Sequence, residues 1–317
     1  MNTIIDEETM QTNIMELLNG KDFSQILREY HQPKFALLNT ICDELYLNAC
    51  HLTEEQQDEL KKIYRKEAIM FNLTDEPVML ISDTHMASSF EEREYLNDVF
   101  DFCRKYKIQK LIHGGDIGDG TYELSEEEKK LYQYPPKTKP VDFQEAPLDK
   151  IIKGINNIEA NYPKDNDIAQ FLLGGNHDDR YRYSQAQTDI LISLSQTHNI
   201  EPLGYYQAFF KVYGYPISLE HENRRIYPIA LNPTYIPHIL KIKGHSHMGK
   251  LDKNILYLPT LSKNIDKKKG LSGLPGFMVM QASQHNEELT LYFEHYYYGE
   301  NGLTKKEEPY ILKRTKK

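Results

Sequence analysis

The chain has 317 residues, with 38 Lys plus Arg against 47 Asp plus Glu and a net charge of −9. A chain of this length buries about three-quarters of its unfolded surface, so it needs no disulfide or structural metal to fold. Its negative balance argues against a protein that coats nucleic acid or anionic membrane by bulk charge. Three cysteines, Cys42, Cys50 and Cys103, form no CxxC pair and suggest neither a disulfide framework nor a thiolate zinc site. The acidic N-terminus is unlike a signal peptide, and no apolar run approaches the ~18 residues that span a bilayer. The expectation is a cytoplasmic protein with no membrane partner.

Residues 1–76 hold 15 acidic and 7 basic residues, a net of −8, which leaves −1 for residues 77–317. The first segment is therefore a unit of its own in composition, and its pattern is helical. One helix over Met10–Leu18 is stopped by Asn19-Gly20, a second begins near Ser24, a third follows Pro33, and a fourth opens on the capping box Thr53-Glu54-Glu55-Gln56. These place a helical N-terminal domain over residues 1–73, a bundle that serves packing or self-association. A second reading is open. Asp22 to Tyr30, the break at His31-Gln32-Pro33 and Phe35 to Ile41 resemble a helix-turn-helix, which would tether the chain to DNA. Against it, the second helix offers Lys34 and then Asp43-Glu44.

From Pro77 the rhythm changes to short apolar runs ending in Gly, Asp, Asn or His, separated by amphipathic helices, an α/β signature. Strands are expected at Val78–Ile81, Lys110–Ile112, Ala169–Leu173, Pro216–Leu219 and His238–Ile242. A capping box at Ser89-Phe90-Glu91-Glu92 opens a helix whose Tyr95, Val99, Cys103 and Tyr106 cover a sheet face. Tyr134 to Pro147, with four prolines, reads as a long loop, either a surface insertion or an edge of the site. Leu289–Phe293 alternates as a strand, and the Lys/Arg-rich end reads as a solvated, disordered tail.

Five fragments repeat one arrangement, an apolar strand delivering metal-type ligands at its end: Asp83-Thr84-His85, Gly115-Asp116-Ile117-Gly118-Asp119, Gly175-Asn176-His177-Asp178, His221 and Gly244-His245-Ser246-His247. Strand ends converge on one edge of an open α/β sheet, where such sheets bind ligands. Carboxylate, imidazole and amide oxygen without sulfur suit Mn, Fe or Zn, and a carboxylate shared by two ions is a recurring hydrolytic device. Glycines before Asp116, Asn176 and His245 are expected to turn the backbone sharply as it leaves each strand.

In this order, the five motifs resemble the calcineurin-like metallophosphoesterases, over about residues 77–265. The resemblance implies a four-layer αββα sandwich over residues 74–317 and two divalent ions per chain, manganese first, with iron, zinc or nickel as alternatives. It implies that Asp83, His85, Asp116 and His247 hold one ion, and that Asp116, Asn176, His221 and His245 hold the other. His177 would assist the leaving group, Asp119 would orient His177, and a metal-bridging hydroxide would attack phosphorus. The implied activity is phosphoester hydrolysis by a phosphodiesterase or nuclease, with a small-molecule phosphomonoesterase as the alternative. A non-catalytic scaffold or a DNA-tethered regulator forms the other class. Gly120 and Asp178 depart from the Ser/Thr protein phosphatase pattern, an Arg after the second Asp and Gly-Asn-His-Glu. His113 reads as a structural histidine, and His198 competes with His221 but looks like a helix-end charge. Asp178 and Asp179 read as solvated acids, with Asp178 closer to a supporting role. Arg180 and Arg182 read as a phosphate clamp or a solvated pair.

Overall fold

The computed structural model describes residues 7–47, 51–88, 90–120, 148–184, 186–196, 199–221, 236–263 and 273–315. The acidic N-terminal segment forms four helices: α1 (Glu7–Leu18), α2 (Phe23–Glu29), α3 (Lys34–Leu47) and α4 (Glu54–Glu67). Their starts follow the sequence. Asp22 accepts from the Ser24 and Gln25 amides to open α2. At α4 the Thr53 side chain accepts from the Gln56 amide while Gln56 reaches back to the Thr53 amide. Ile14, Leu17, Ile26, Leu37, Ile41 and Leu60 bury a common core, and that core extends to Phe209.

Two sheets follow. The first runs β1 (Ile69–Leu73), β6 (Gln207–Val212), β7 (Tyr215–Glu220), β8 (Leu240–Lys243), β10 (Ile255–Tyr257) and β9 (Lys250–Asp252). The second runs β13 (Gly302–Lys305), β12 (Glu288–Gly299), β11 (Gly276–His285), β2 (Val78–Ile81), β3 (Lys110–His113), β4 (Ala169–Gly174) and β5 (Ile200–Tyr205), with β14 (Tyr310–Thr315) also paired to β12. Side-chain alternation sorts β2 between two cores. Val78 and Leu80 face the intersheet core with Phe210, Ile217 and Ile242. Met79 and Ile81 face the helices α5 (Arg93–Tyr106), α6 (Leu148–Asn161) and α8 (Ile190–Ser195) through Val99, Ile155 and Leu191. Phe209, opposite Ala208 and Phe210 on β6, turns outward to the N-terminal helices. The layers are thus helix, sheet, sheet, helix, an αββα sandwich in which α1–α4 supply the outer layer over the first sheet. The expected boundary after residue 73 falls at the end of β1, which pairs in parallel with β6.

The expected strands all form, with β3 and β4 a residue longer than read and β8 two residues shorter at its start. Two expectations change. The helix read as opening at Ser89, a residue outside those described, begins at Arg93, because Glu91 turns back to accept from the Ala87 amide at 2.7 Å. The basic tail is not a loose end, since Leu312 is buried and β14 pairs along β12 from Glu288 to Phe293. Its alternation of inward Leu312 with outward Lys313 is a strand pattern that the charge obscured. The Tyr134 to Pro147 loop and His198 lie outside the described residues.

At the free edge of β5, Phe35 of α3 packs edge-on to Tyr205, with ring centroids 6.5 Å apart, and covers Gly204 (φ +94°). Phe35→Ala should therefore destabilise the whole molecule by about 3–5 kcal/mol. The expected signature is one cooperative urea transition shifted to lower denaturant in both helical and aromatic circular dichroism. An early helical transition that leaves the aromatic signal native would contradict it.

Candidate metal centre

The metal-type side chains gather where strands of both sheets end. Asp83 and His85 follow β2, Asp116 and Asp119 follow β3, Asn176 and His177 open α7 (Asn176–Tyr183) after β4, His221 follows β7, and His245 and His247 follow β8. The sheets are laced there by Asp83, whose Oδ2 accepts from the His245 amide at 3.0 Å. Asp83 Oδ1 lies 3.2 Å from His247 Nε2 and 3.9 Å from His85 Nε2. Asp116 Oδ2 lies 3.0 Å from His221 Nε2, and Asn176 Oδ1 lies 3.0 Å from His245 Nδ1. Two clusters result, Asp83 with His85 and His247, and Asp116 with His221 and His245; within each, ligand atoms lie within 4.8 Å of one another. Asp116 also groups with His85 and His177, which joins the two clusters.

Five of the seven expected ligands have left-handed backbone: Asp83 (φ 57°), His85 (45°), Asp116 (55°), His245 (65°) and His247 (52°). Each such residue costs about 1–3 kcal/mol and persists where surrounding bonds over-determine it. Those bonds are present. Asp83 N–H donates to Gly115 O at 2.9 Å, His85 N–H to Asp116 O at 3.1 Å, and Thr260 Oγ1 to Asp83 O at 2.9 Å. Gly115 does turn at φ +103°, whereas Gly175 is extended; its role is close approach, since a Cβ there would lie 2.2 Å from Asp116 Oδ1.

The supporting groups divide their work. The Asp119 carboxylate contacts His85 Nδ1 at 2.9 Å, which leaves the His85 Nε2 lone pair facing the cluster. His177 Nδ1 contacts the Asp119 carbonyl at 2.5 Å and the carboxylate at 3.4 Å, so Asp119 reaches His177 mainly through its backbone. Asp178 is buried, not solvated. It accepts from the Ile117, Gly118 and Gly175 amides and so clamps the loop carrying Asp116 to the one carrying Asn176. Burial, with the Asp116 charge, lifts Asp178 to about 7 against the pull of those amides. Arg182 pairs with Asp179 at 2.9 Å, and Arg180 Nη1 lies 3.2 Å from His177 Nδ1 and 3.5 Å from the Asp119 carbonyl. His113 is the structural histidine expected. Its Nδ1 accepts from the Gly115 amide, its Nε2 meets Thr84 Oγ1 at 3.1 Å, and burial lowers it to about 3. Thr84 and Thr260 were not signalled by the sequence, because single threonines on loops carry no pattern.

The site fits cations. Asp83 Oδ1 and His221 Nε2 are buried and make no hydrogen bond among the described residues, although His221 Nε2 and Asp116 Oδ2 are at ion-pair distance. Lone pairs that approach without hydrogen-bond alignment suit a shared ion, and the O and N donors match a hard or borderline metal. Burial alone would raise Asp83 and Asp116. The His247, His221 and His85 imidazoles hold Asp83 well below the usual carboxylate range, and chiefly His221 holds Asp116 at about 2. Burial alone would lower His221, but Asp116 outweighs it and lifts the imidazole to about 9.

A ligand must bind in its unprotonated form, so an ion at His221 must displace that proton. Below about pH 9 the apparent metal affinity should therefore rise with pH, by about tenfold per unit for one proton, and flatten above it. Calorimetry at pH 7.5 in buffers of differing ionisation enthalpy should detect release of at least one proton. Buffer-independent heats and a pH-independent affinity would contradict this.

A family model described as calcineurin-like phosphoesterase matches residues 76–297. No curated protein matches the chain. Among solved structures, a single-mutant Vps29 from Entamoeba histolytica is similar at 12% identity, covering 75% of this chain and 99% of its own, with a TM-score of 0.37. Vps29 from Chaetomium thermophilum is similar at 11% identity, covering 76% and 98%, with a TM-score of 0.36. A predicted phosphoesterase from Streptococcus pneumoniae is similar at 13% identity over the same shares, with a TM-score of 0.35. No helix among the described residues is long and apolar enough to cross a membrane. The family match spans most of the chain and contains every clustered side chain, and on that ground the chain belongs to the calcineurin-like phosphoesterase family.

Proposed function

We propose that this chain is a phosphoester hydrolase with a dinuclear metal centre, held by Asp83, His85, Asp116 and His247 on one side and by Asp116, Asn176, His221 and His245 on the other. The observation that carries the reading is the pair of ligand clusters joined at Asp116. When bound, two divalent ions, manganese first among Mn, Fe, Zn and Ni, supply Lewis acidity and a nucleophilic water at neutral pH. The chain's residues do the rest. Asp83 and Asp116 bring the negative charge that retains cations, and Asp119 fixes the His85 ring. His177 points Nδ1 at the Asp119 carbonyl, which leaves Nε2 on the Asp116 side, 3.9 Å from Oδ2, as proton donor to a leaving oxygen. Burial would lower the His177 pKa, but Asp119 and Asp116 outweigh it, and the net direction is upward, which favours the acid form.

Phosphodiesters are the favoured substrates. Arg182 is taken up by Asp179, and Arg180 leans on the Asp119 carbonyl and His177, so neither stands out as a clamp for the second charge of a monoester. Residues 77–317 carry a net −1, so a long polyanion gains little from remote contacts, and short or single-stranded diesters should outrun duplex DNA. A DNA tether through α3 gains no support, since among its described side chains the exposed positions are Asn39 and Asp43. A metal-supplemented comparison of bis-p-nitrophenyl phosphate, p-nitrophenyl phosphate, a dinucleotide, single strands and duplex tests the reading. Faster monoester turnover would turn it to a phosphomonoesterase, and no turnover with any metal would turn it to a scaffold.

Two variants probe the roles. Asp116→Asn should weaken uptake of both ions, whereas His85→Ala should weaken mainly one, read by elemental analysis after metal titration; a single full site in the parent chain would contradict the shared carboxylate. His177→Ala should keep both ions and lower turnover about 10²–10⁴-fold. The loss should be greater for alkoxide than for p-nitrophenolate leaving groups, and equal losses would remove the proton-donor role.

A further inference from the structure

Tyr206 stands where the chain leaves the second sheet at the end of β5 and enters β6 of the first. Its backbone is left-handed, at φ 69°, a region that a bulky side chain seldom enters. Three of its polar groups are engaged at once. Its amide donates to Gly174 O at 2.9 Å, and its carbonyl accepts from the His221 amide at 2.8 Å. Its hydroxyl donates to Asp179 Oδ2 at 2.6 Å. Gly174 ends the strand that leads to Asn176, and Asp179 lies on α7 with Asn176 and His177. Tyr206 therefore spans the two backbone segments that present Asn176 and His221.

The acceptor at the far end is itself fixed. Asp179 is 5% exposed, and its Oδ1 is held by Arg182, whose guanidinium lies 4.4 Å over the Tyr205 ring. A phenol bonded to a buried, anchored carboxylate sets a distance, as a mobile surface contact would not.

We propose that Tyr206 is a positioning residue that fixes the separation of Asn176 and His221, and with it the affinity of the second ion site. This rests on the dinuclear reading above. The cluster of Asp83, His85 and His247 is presented from β2 and β8 and does not pass through Tyr206. The strained backbone fits this role, because an extended residue at this crossover would redirect either the Gly174 or the His221 bond.

The neighbouring Tyr205 supplies the control. Its hydroxyl donates to Asp189 Oδ1 at 2.9 Å, the N-cap of α8, a helix that presents none of the ligands. Mn²⁺ titration of the full chain, read by calorimetry and by the electron paramagnetic resonance of free Mn²⁺, compares the parent with Tyr206→Phe and Tyr205→Phe. In Tyr206→Phe one binding step should weaken about 10–100-fold while the other stays within about threefold. Tyr205→Phe should lower the melting temperature without moving either step. Unmoved steps in Tyr206→Phe, or equal weakening of both steps in both variants, would overturn the proposal and leave the dinuclear reading intact. A parent chain that takes up no Mn²⁺ would overturn the dinuclear reading and this one with it.

Discussion

The centre of this molecule depends on keeping two carboxylates, Asp83 and Asp116, buried and ionised at the seam between two sheets. Burying an isolated charge is prohibitive, so the surrounding architecture must return the lost hydration. It does so with imidazoles and amides drawn from separate strand ends. Asp83 takes the His245 amide from the opposite sheet, and Asp116 Oδ1 takes the His177 amide across the β3 and β4 ends. Each carboxylate therefore does two jobs: one oxygen stitches the fold together, and the other faces the metal-type cluster. The intersheet core can close over this polar seam because the seam sits at the strand ends, beyond the apolar residues of β2, β3 and β4.

A second level of support concerns the backbone. Left-handed residues at Asp83, His85, Asp116, His245 and His247 are individually unfavourable, yet they occur together where strands give way to loops. Asp178 shows how they are held: a single buried carboxylate gathers three amides from two loops. Its neutralisation by burial is opposed by those same amides, a balance that concentrates electrostatic stress at a group that touches none of the expected ligand atoms.

Much of this was legible in the sequence because the signals were local. Short apolar runs ending in glycine and ligand-type residues reported the strands and the ends on which the site is built, and the motif order reported the family. What escaped was either non-local or masked by charge. Whether Asp119 meets His177 through its carboxylate or its carbonyl depends on where β2 places His85, more than thirty residues earlier. Asp178 and Asp179 look like solvated acids until the fold buries them. The basic end of the chain hid a strand, since Lys313 on the outward face of β14 and Arg314 beside it outweighed Leu312 in any reading by composition.

That last strand has a consequence for how the border of the second sheet is closed. β12 is twelve residues long, and a partner of equal length would leave a continuous row of unpaired amides and carbonyls at the border of the sheet. Instead it is covered by two short pieces, β13 on residues 296–299 and β14 on residues 288–293, which carry Lys305, Lys313 and Arg314. The lysines of this margin are tied back to the hairpin, Lys305 to Glu294 and Lys313 to Glu288, and an edge broken into short pieces offers little continuous register for strand addition. β13 and β14 thus work as a hem, closing the long β11–β12 hairpin at the side of the sheet farthest from β5.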